Sequence, residues 1–545
     1  MHHDQKRRGT RLGGGLLLVA AMVLQACGGG GGTAGESVFG YTGSGSSGGS
    51  GGSGSNNQSG NTALLASSSY AQQCAPGNTE AAASLRSASL TREKQWLRAY
   101  FDEAYLWREE VPAVNADAAA YSGSHVGTAL AAYFDALVSP AVTASGAPRD
   151  RFSFMTSTRE WNQLSAAGVS LGYGLEWSRR SATPPRELRL AYVEPGSPAA
   201  QAGLQRGDVL VTVDGTSADA GDAAGVAVLN AALYPSRAGE VHNFVFSRPS
   251  SGALLSPSLA AAEVSLNPVP LSRVISAADG AKVGYLLFND HIATSEALLI
   301  NAVQSLRDQG VSELVLDLRY NGGGYLFIAS ELAYMIAGPG PTSGQVFEQL
   351  RFNSRRQAET SSANARTPFY DTSCVLVNGN CSQSRSLPTL GLSRVYVLAQ
   401  NGTCSASEAV INGLRGVNVE VRLIGGTTCG KPYGFTAKDN CGYSYFPIEF
   451  VGTNAKGFGD YADGFVPGGN GSTGVPGCRV ADDLSRALGD SSEGMLAAAL
   501  QHRLSGQCPA QPQGASRARA LSAQDGLPLS EGSAARRNRI AGGRP

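Results

Sequence analysis

The sequence has no excess of either charge: 43 basic residues stand against 43 acidic ones. Without a basic excess, nucleic acid is not expected as a partner. Histidine is scarce, with only His2, His3, His125, His242, His291 and His502. The cysteines lack paired CxxC spacing and no histidine lies close to them in sequence, which argues against zinc. No metal and no other cofactor is expected. The N-terminal apolar stretch, Leu16 to Ala26, is too short to span a bilayer. Acidic residues are also missing around Lys431, with none after it until Asp439.

A chain of 545 residues suggests two or three domains. Lys6, Arg7, Arg8 and Arg11 precede the apolar stretch, so residues 1–26 read as an export signal. Its end, Leu24-Gln25-Ala26-Cys27, resembles a bacterial lipobox, which implies that Cys27 is lipidated. The expected location is an exported protein anchored by lipid to a bacterial membrane. Gly28 after the cysteine points to the periplasmic side of the outer membrane where there are two membranes. Residues 27–85 then read as the anchor and a Gly/Ser-rich linker. As a flexible coil, residues 28–62 would reach about 30–35 Å. Setting Cys27 aside leaves eight cysteines, an even number suited to disulfides in an oxidising compartment. Cys374 with Cys381 would close a short loop.

Residues 86–158 read as an N-terminal helical segment. Trp96, Leu97, Tyr100, Phe101, Ala104 and Trp107 recur at helical spacing, followed by Tyr133, Phe134 and Leu137. These aromatics suit a core or a homodimer surface better than a ligand cage. Residues 159–269 are β-rich. Gly196-Ser197-Pro198-Ala199-Ala200-Gln201-Ala202-Gly203-Leu204, then Gly207-Asp208-Val209-Leu210-Val211-Thr212-Val213-Asp214-Gly215, resemble a PDZ domain. Tyr173, Gly174 and Leu175 resemble the loop that holds a peptide's terminal carboxylate, so exposed C-terminal tails are the implied ligand.

Residues 270–508 have α/β patterning. Strands are expected at Lys282–Phe288, Glu313–Asp317, Val395–Ala399 and Val419–Ile424, with helices at Thr294–Gln309 and Leu326–Ile336 and from Ser405 onward. Ser405 thus falls at a strand-to-helix turn, and Lys431 in the turn after the next strand. A serine hydroxyl attacks only when a base takes its proton. A lysine serves only when neutral, and near pH 7 about 0.1 % of free lysine is. Burial away from carboxylates would have to disfavour the charged form by roughly 4–5 kcal/mol. A helix starting at Ser405 would also aim free N–H groups at a reacting carbonyl. Cys404 and Cys429 could pair and fix the site covalently. Gly425-xxxx-Gly430-Lys431 mimics a phosphate loop, but Pro432 stands where that motif needs Ser or Thr.

The order of signal, helical segment, PDZ, strand–DLRYNGGG–helix, strand–SASE–helix and strand–GK resembles the carboxyl-terminal processing (tail-specific) serine proteases, over residues 90–505. The resemblance implies Ser405 as nucleophile, Lys431 as general base, and the amides of Gly323 and Ala406 as oxyanion hole. It also implies an α/β multidomain fold, with a PDZ domain beside an α/β protease core, acting on exported proteins. Asp463-Gly464-Phe465-Val466-Pro467 resembles a later family element. Four features depart from the pattern: a Ser–Lys spacing one residue longer, Gly322 for a usual Pro, Phe435 where many members carry Gln, and the wealth of cysteine. Two other readings compete: an inactive lipid-anchored PDZ adaptor, and a Ser–His variant using His291, a residue otherwise expected in a surface loop. The tail, residues 509–545, is expected to be disordered.

Overall fold

The computed structural model describes residues 64–373, 375–377, 380–510 and 539–540, with 375–377, 380–383 and 539–540 as backbone only. The export signal, Cys27, most of the linker and the Cys374–Cys381 pairing fall outside the described residues, as does nearly all of the tail.

The half of the chain after residue 270 is built on a six-stranded sheet. Its order is Leu271–Ser276, Lys282–Leu287, Glu313–Asp317, Arg394–Ala399, Glu420–Gly425 and Gly477–Arg479. The first pair is antiparallel and the rest are parallel. Its central strands are almost uninterrupted apolar runs because both faces are covered. Leu286, Leu314, Leu316, Val395, Val397, Val421 and Leu423 pack with helices Ser295–Asp308, Leu326–Ala337 and Ala406–Gly416. The alternate residues Val283, Tyr285, Val315, Tyr396, Leu398 and Ile424 pack with Met495, Leu496, Ala498 and Ala499 of helix Gly494–Ser505. The Lys431 turn therefore follows a strand of the same sheet that delivers Ser405.

A second, antiparallel sheet has the order Arg366–Pro368, Val346–Phe352, Phe450–Thr453 and Tyr433–Gly434. The N-terminal helices Leu90–Ala104 and Val126–Leu137 share one aromatic core with it and its surroundings. Trp96, Phe101, Tyr105 and Phe134 lie with Tyr433, Phe435, Tyr445 and Phe446. The aromatics are core, and the helical segment packs with the half of the chain after residue 270. Strand Phe154–Ser157 pairs with Tyr443–Phe446, so the PDZ domain is an insertion between that strand and the six-stranded sheet. Ordered chain begins before residue 85: Ser67–Tyr70 and Ala83–Leu85 form short 3-10 turns, and fully buried Cys74 is bridged to Cys441. The linker is thus shorter than its composition suggests.

In the PDZ domain the strand order is Leu175–Ser178, Arg189–Val193, Val209–Val213, Val241–Arg248 and Ala253–Leu255. Leu175–Ser178 is an edge strand, open to strand addition. The domain docks through Arg206. Its guanidinium bonds to Tyr320 Oη, to Asp482 Oδ1 at 2.6 Å and to the Arg486 carbonyl at 2.9 Å. Asp482 also accepts from Arg319, which is fully buried and paired with Asp317 and Glu493. From the tail, Arg539–Ile540 pairs in parallel with Gly324–Tyr325, so that segment at least is a strand.

Candidate active site

The strand Arg394–Ala399 leads through Gln400–Cys404 into Ser405, and helix Ala406–Gly416 follows at once. Ser405 has φ 61° and ψ −113°, a conformation that costs a non-glycine residue about 1–3 kcal/mol. Such a strained elbow at a strand-to-helix junction is one way a fold presents a serine hydroxyl. The helix is buried nearly all round, with Val410, Ile411 and Leu414 in the core, which anchors the elbow from below.

The Gly322–Gly324 loop closes on the elbow. Gly323 has φ +107°, and a Cβ there would lie 2.8 Å from Ser405 Cβ, 2.9 Å from the Cys404 carbonyl oxygen and 3.0 Å from Ala406 N. Only glycine allows this approach. Ala406 is the first helical residue, so its N–H has no acceptor within the helix. The Gly323 N–H donates to Asn321 Oδ1 at 3.0 Å. Asn321 also takes the Cys404 N–H on its carbonyl at 3.1 Å, and Ser407 Oγ at 3.0 Å, so it ties the glycine loop to the Ser405 turn. Gly323→Ala is expected to abolish any activity that depends on Ser405 and to lower stability by about 1–3 kcal/mol. A urea titration beside an activity assay checks this, and wild-type activity in that variant would show that the close approach is unimportant.

Lys431 is fully buried, and its Nζ lies 4.4 Å from the centre of the Phe435 ring and 5.2 Å from that of Phe152. Aromatic faces accept an ammonium and also provide an apolar wall for an amine. Phe435 is held by Phe154 and Phe446, so the N-terminal segment reaches the lysine through packed rings.

Two ties join the serine and lysine turns. Cys404 and Cys429 form a disulfide. The Glu408 carboxylate, fully buried, accepts from Ser405 N at 3.0 Å and Lys431 N at 2.8 Å on one oxygen. Its other oxygen accepts from Gly430 N at 2.8 Å and Thr428 Oγ1 at 2.5 Å. Burial pushes this carboxyl above its ordinary pKa, and the hydrogen bonds pull the other way. Glu408 ends the SASE run, but the sequence alone gives it no role. Its signal is the serine three residues before it at a helix start, a capping-box pattern.

His291 is not the surface loop residue its position suggests. It is fully buried, its Nδ1 lies 2.9 Å from Asn321 Oδ1, and its backbone brackets the glycine loop through Gly323 O and Tyr325 N. The strand before it is buried on both faces and delivers it inward. In the PDZ domain, Tyr173 is core, edge-on to Phe244 at 5.3 Å. Gly174 at φ +76° turns the chain against Ser197, and Leu175 starts the edge strand. The three therefore form a backbone loop beside an open sheet edge.

Residues 282–437 match the profile of peptidase family S41, and residues 189–228 that of a PDZ domain. Residues 282–437 are thus similar to peptidase family S41. The S41 match spans Gly323, Ser405 and Lys431 alike. A carboxyl-terminal-processing protease of Picosynechococcus sp. is 26% identical over 271 residues, 49% of this chain and 56% of that protein. A chloroplastic C-terminal processing peptidase of Tetradesmus obliquus is 30% identical over 230 residues, 41% of this chain and 48% of that protein. The chain thus spans about half the length of these curated relatives. A solved structure from Bacteroides fragilis assigned to the S41 proteases shares 26% identity with a TM-score of 0.53, covering 75% of this chain and 97% of that one.

Proposed function

We propose that this protein is a serine endopeptidase in which Ser405 is the nucleophile and Lys431 its general base, acting on exported proteins with exposed C-terminal tails. The observation that carries the reading is the shared carboxylate: one oxygen of Glu408 binds the backbone of both residues, so turns 26 positions apart meet beneath one buried group. Lys431 takes the Ser405 proton as Oγ attacks the scissile carbonyl, and the same proton then goes to the leaving amine. The oxyanion lies on the Ala406 N–H and on the Gly323 N–H, which shares its proton between Asn321 and the substrate. Water, deprotonated by Lys431, hydrolyses the acyl-enzyme. The PDZ edge strand takes the tail in extended form.

The backbone pairing of Arg539–Ile540 with Gly324–Tyr325 supports an extended peptide beside the Ser405 and Lys431 turns, since that segment also lies against Tyr433–Gly434 just past Lys431. Deleting residues 511–545 is expected to lower KM for a casein peptide about two- to fivefold by removing an internal competitor of high effective concentration. An unchanged KM in steady-state assays would mean that the tail does not compete.

The deciding experiment is casein cleavage by a fragment beginning at Leu64, under non-reducing conditions, with Ser405→Ala, Lys431→Ala and His291→Ala alongside. Loss in the first two and retention in the third supports the dyad. Loss in the first and third with Lys431→Ala active would favour the Ser–His reading, to which the burial of His291 against the glycine loop lends support. Tail binding without any cleavage by wild type would make the protein an adaptor. We further propose lipid attachment at Cys27, after export, to the outer membrane where there are two. Incorporation of labelled palmitate that persists in Cys27→Ala would refute it.

A further inference from the structure

Resting on the Ser405–Lys431 reading, we propose that the Cys404–Cys429 disulfide is the positioning element of that pair, and that the protease works only while this bridge is oxidised. The bridge begins at the residue next to the nucleophile and ends two residues before the base. The Lys431 side chain rests on the Phe152 and Phe435 rings. Ring faces hold an amine near them with little control of its direction, so the backbone of the turn contributes to aiming it.

That turn is held by hydrogen bonds, among them Arg151 to the Cys429 carbonyl at 2.8 Å, and by one disulfide. Cys429 N donates to the Thr403 carbonyl at 3.0 Å, Glu408 gathers the amides, and the disulfide is the one covalent tie. Reduction would do more than remove the tie. Cys429 Sγ lies 3.5 Å from Glu408 Oε2, the oxygen that accepts from both Ser405 and Lys431. As a thiol it gains a proton to donate there, in competition with the two amides that align the pair. The step balances as a thiol–disulfide exchange: a dithiol reductant delivers two electrons and two protons to the bridge and leaves as its own disulfide. Oxidation by a protein disulfide reverses it. Cys429 is half-buried, so a small dithiol can reach one sulfur.

Because the hydrogen bonds remain, the reduced protein stays folded and the loss falls on alignment. A misplacement of about 1 Å between reacting groups costs on the order of 10²-fold in rate. A copy held in a reducing compartment would therefore be nearly silent and would gain activity on reaching an oxidising one.

The test uses the full chain purified oxidised, with steady-state cleavage of a casein peptide and fluorophosphonate labelling of Ser405. Dithiothreitol is expected to lower kcat about 10- to 100-fold with KM changed less than twofold, and reoxidation to restore it. The double variant Cys404→Ala/Cys429→Ala should show the same low kcat, no response to dithiothreitol, and a pH–kcat profile displaced from wild type. The variants Cys74→Ala/Cys441→Ala and Cys478→Ala/Cys508→Ala, which remove the other two described bridges, should keep both activity and reductant sensitivity. Wild-type kcat in the Cys404/Cys429 variant, or reductant sensitivity that survives in it, overturns the proposal while leaving the dyad intact. An oxidised wild type that neither cleaves nor labels overturns the dyad itself. Reversible loss in wild type keeps the test decisive if the double variant fails to fold.

Discussion

Lys431→Met is expected to lower kcat for protein cleavage by about 10³–10⁴-fold while leaving the fold intact. The lysine occupies a site suited to an apolar side chain, fully buried with two aromatic rings within 5.2 Å of its Nζ. Methionine has a similar length and no charge, so it fills the same space. The tie to Glu408 runs through the Lys431 backbone N–H, which the substitution keeps. Stability should therefore stay within about 1 kcal/mol of wild type, as for a volume-conserving exchange. Paired measurements of kcat and of the urea midpoint test both halves. A variant with kcat within tenfold of wild type would remove Lys431 from the base role and turn attention to His291. The structure holds His291 by Asn321 beside the glycine loop.

The second large effect concerns stability. Arg319→Met should destabilise the chain by about 3–5 kcal/mol, because it strands charges in the interior. The Arg319, Asp317 and Glu493 side chains are all fully buried, with Arg319 contacting Asp317 at 2.8 Å and Glu493 at 2.8 Å. Burial alone would lower the guanidinium pKa, yet Asp317 and Glu493 hold it well above its usual value. Glu493 also caps helix Gly494–Ser505 by accepting from Met495 and Leu496, so the loss spreads to that helix. Adding Asp317→Asn and Glu493→Gln should recover part of the loss, since the stranded charges are then gone. Urea unfolding measures it, and a cost below about 1 kcal/mol for the single variant would mean the network is hydrated. Asp482 completes the network towards the PDZ domain. Burial would raise its carboxyl, but Arg206 and Arg319 hold it below its ordinary value of 3.8. Its contribution is thus present above pH 3.8 and lost as pH falls through the lower folded value.

Much of this architecture is legible in the sequence. The strand expected at Glu313–Asp317 is found there, and the helix expected over Thr294–Gln309 runs from Ser295 to Asp308. Apolar runs bounded by turn residues encode a doubly covered parallel strand, and the period of 3.6 encodes a helix face; both are local signals. The sequence leaves the pairing of Cys404 with Cys429 as one option among eight cysteines, and the structure has that bridge. The linker boundary was not legible, because the Ser- and Ala-rich stretch around Cys74 is ordered by a partner 367 positions away.

By itself, the sequence determined the elements, their order, the serine at a helix start, the glycines that permit a close approach and the lysine in the turn beyond. These follow from side-chain periodicity and backbone permissiveness within a few residues. Only the tertiary structure decided what surrounds them. It placed Glu408 under both turns, Phe152 against Lys431 from 279 positions away, His291 inside rather than outside, and Arg206 of the PDZ domain on Asp482. Those contacts depend on how finished elements dock. Docking is driven by burial of area that has no sequence period, and so leaves no local trace in the chain.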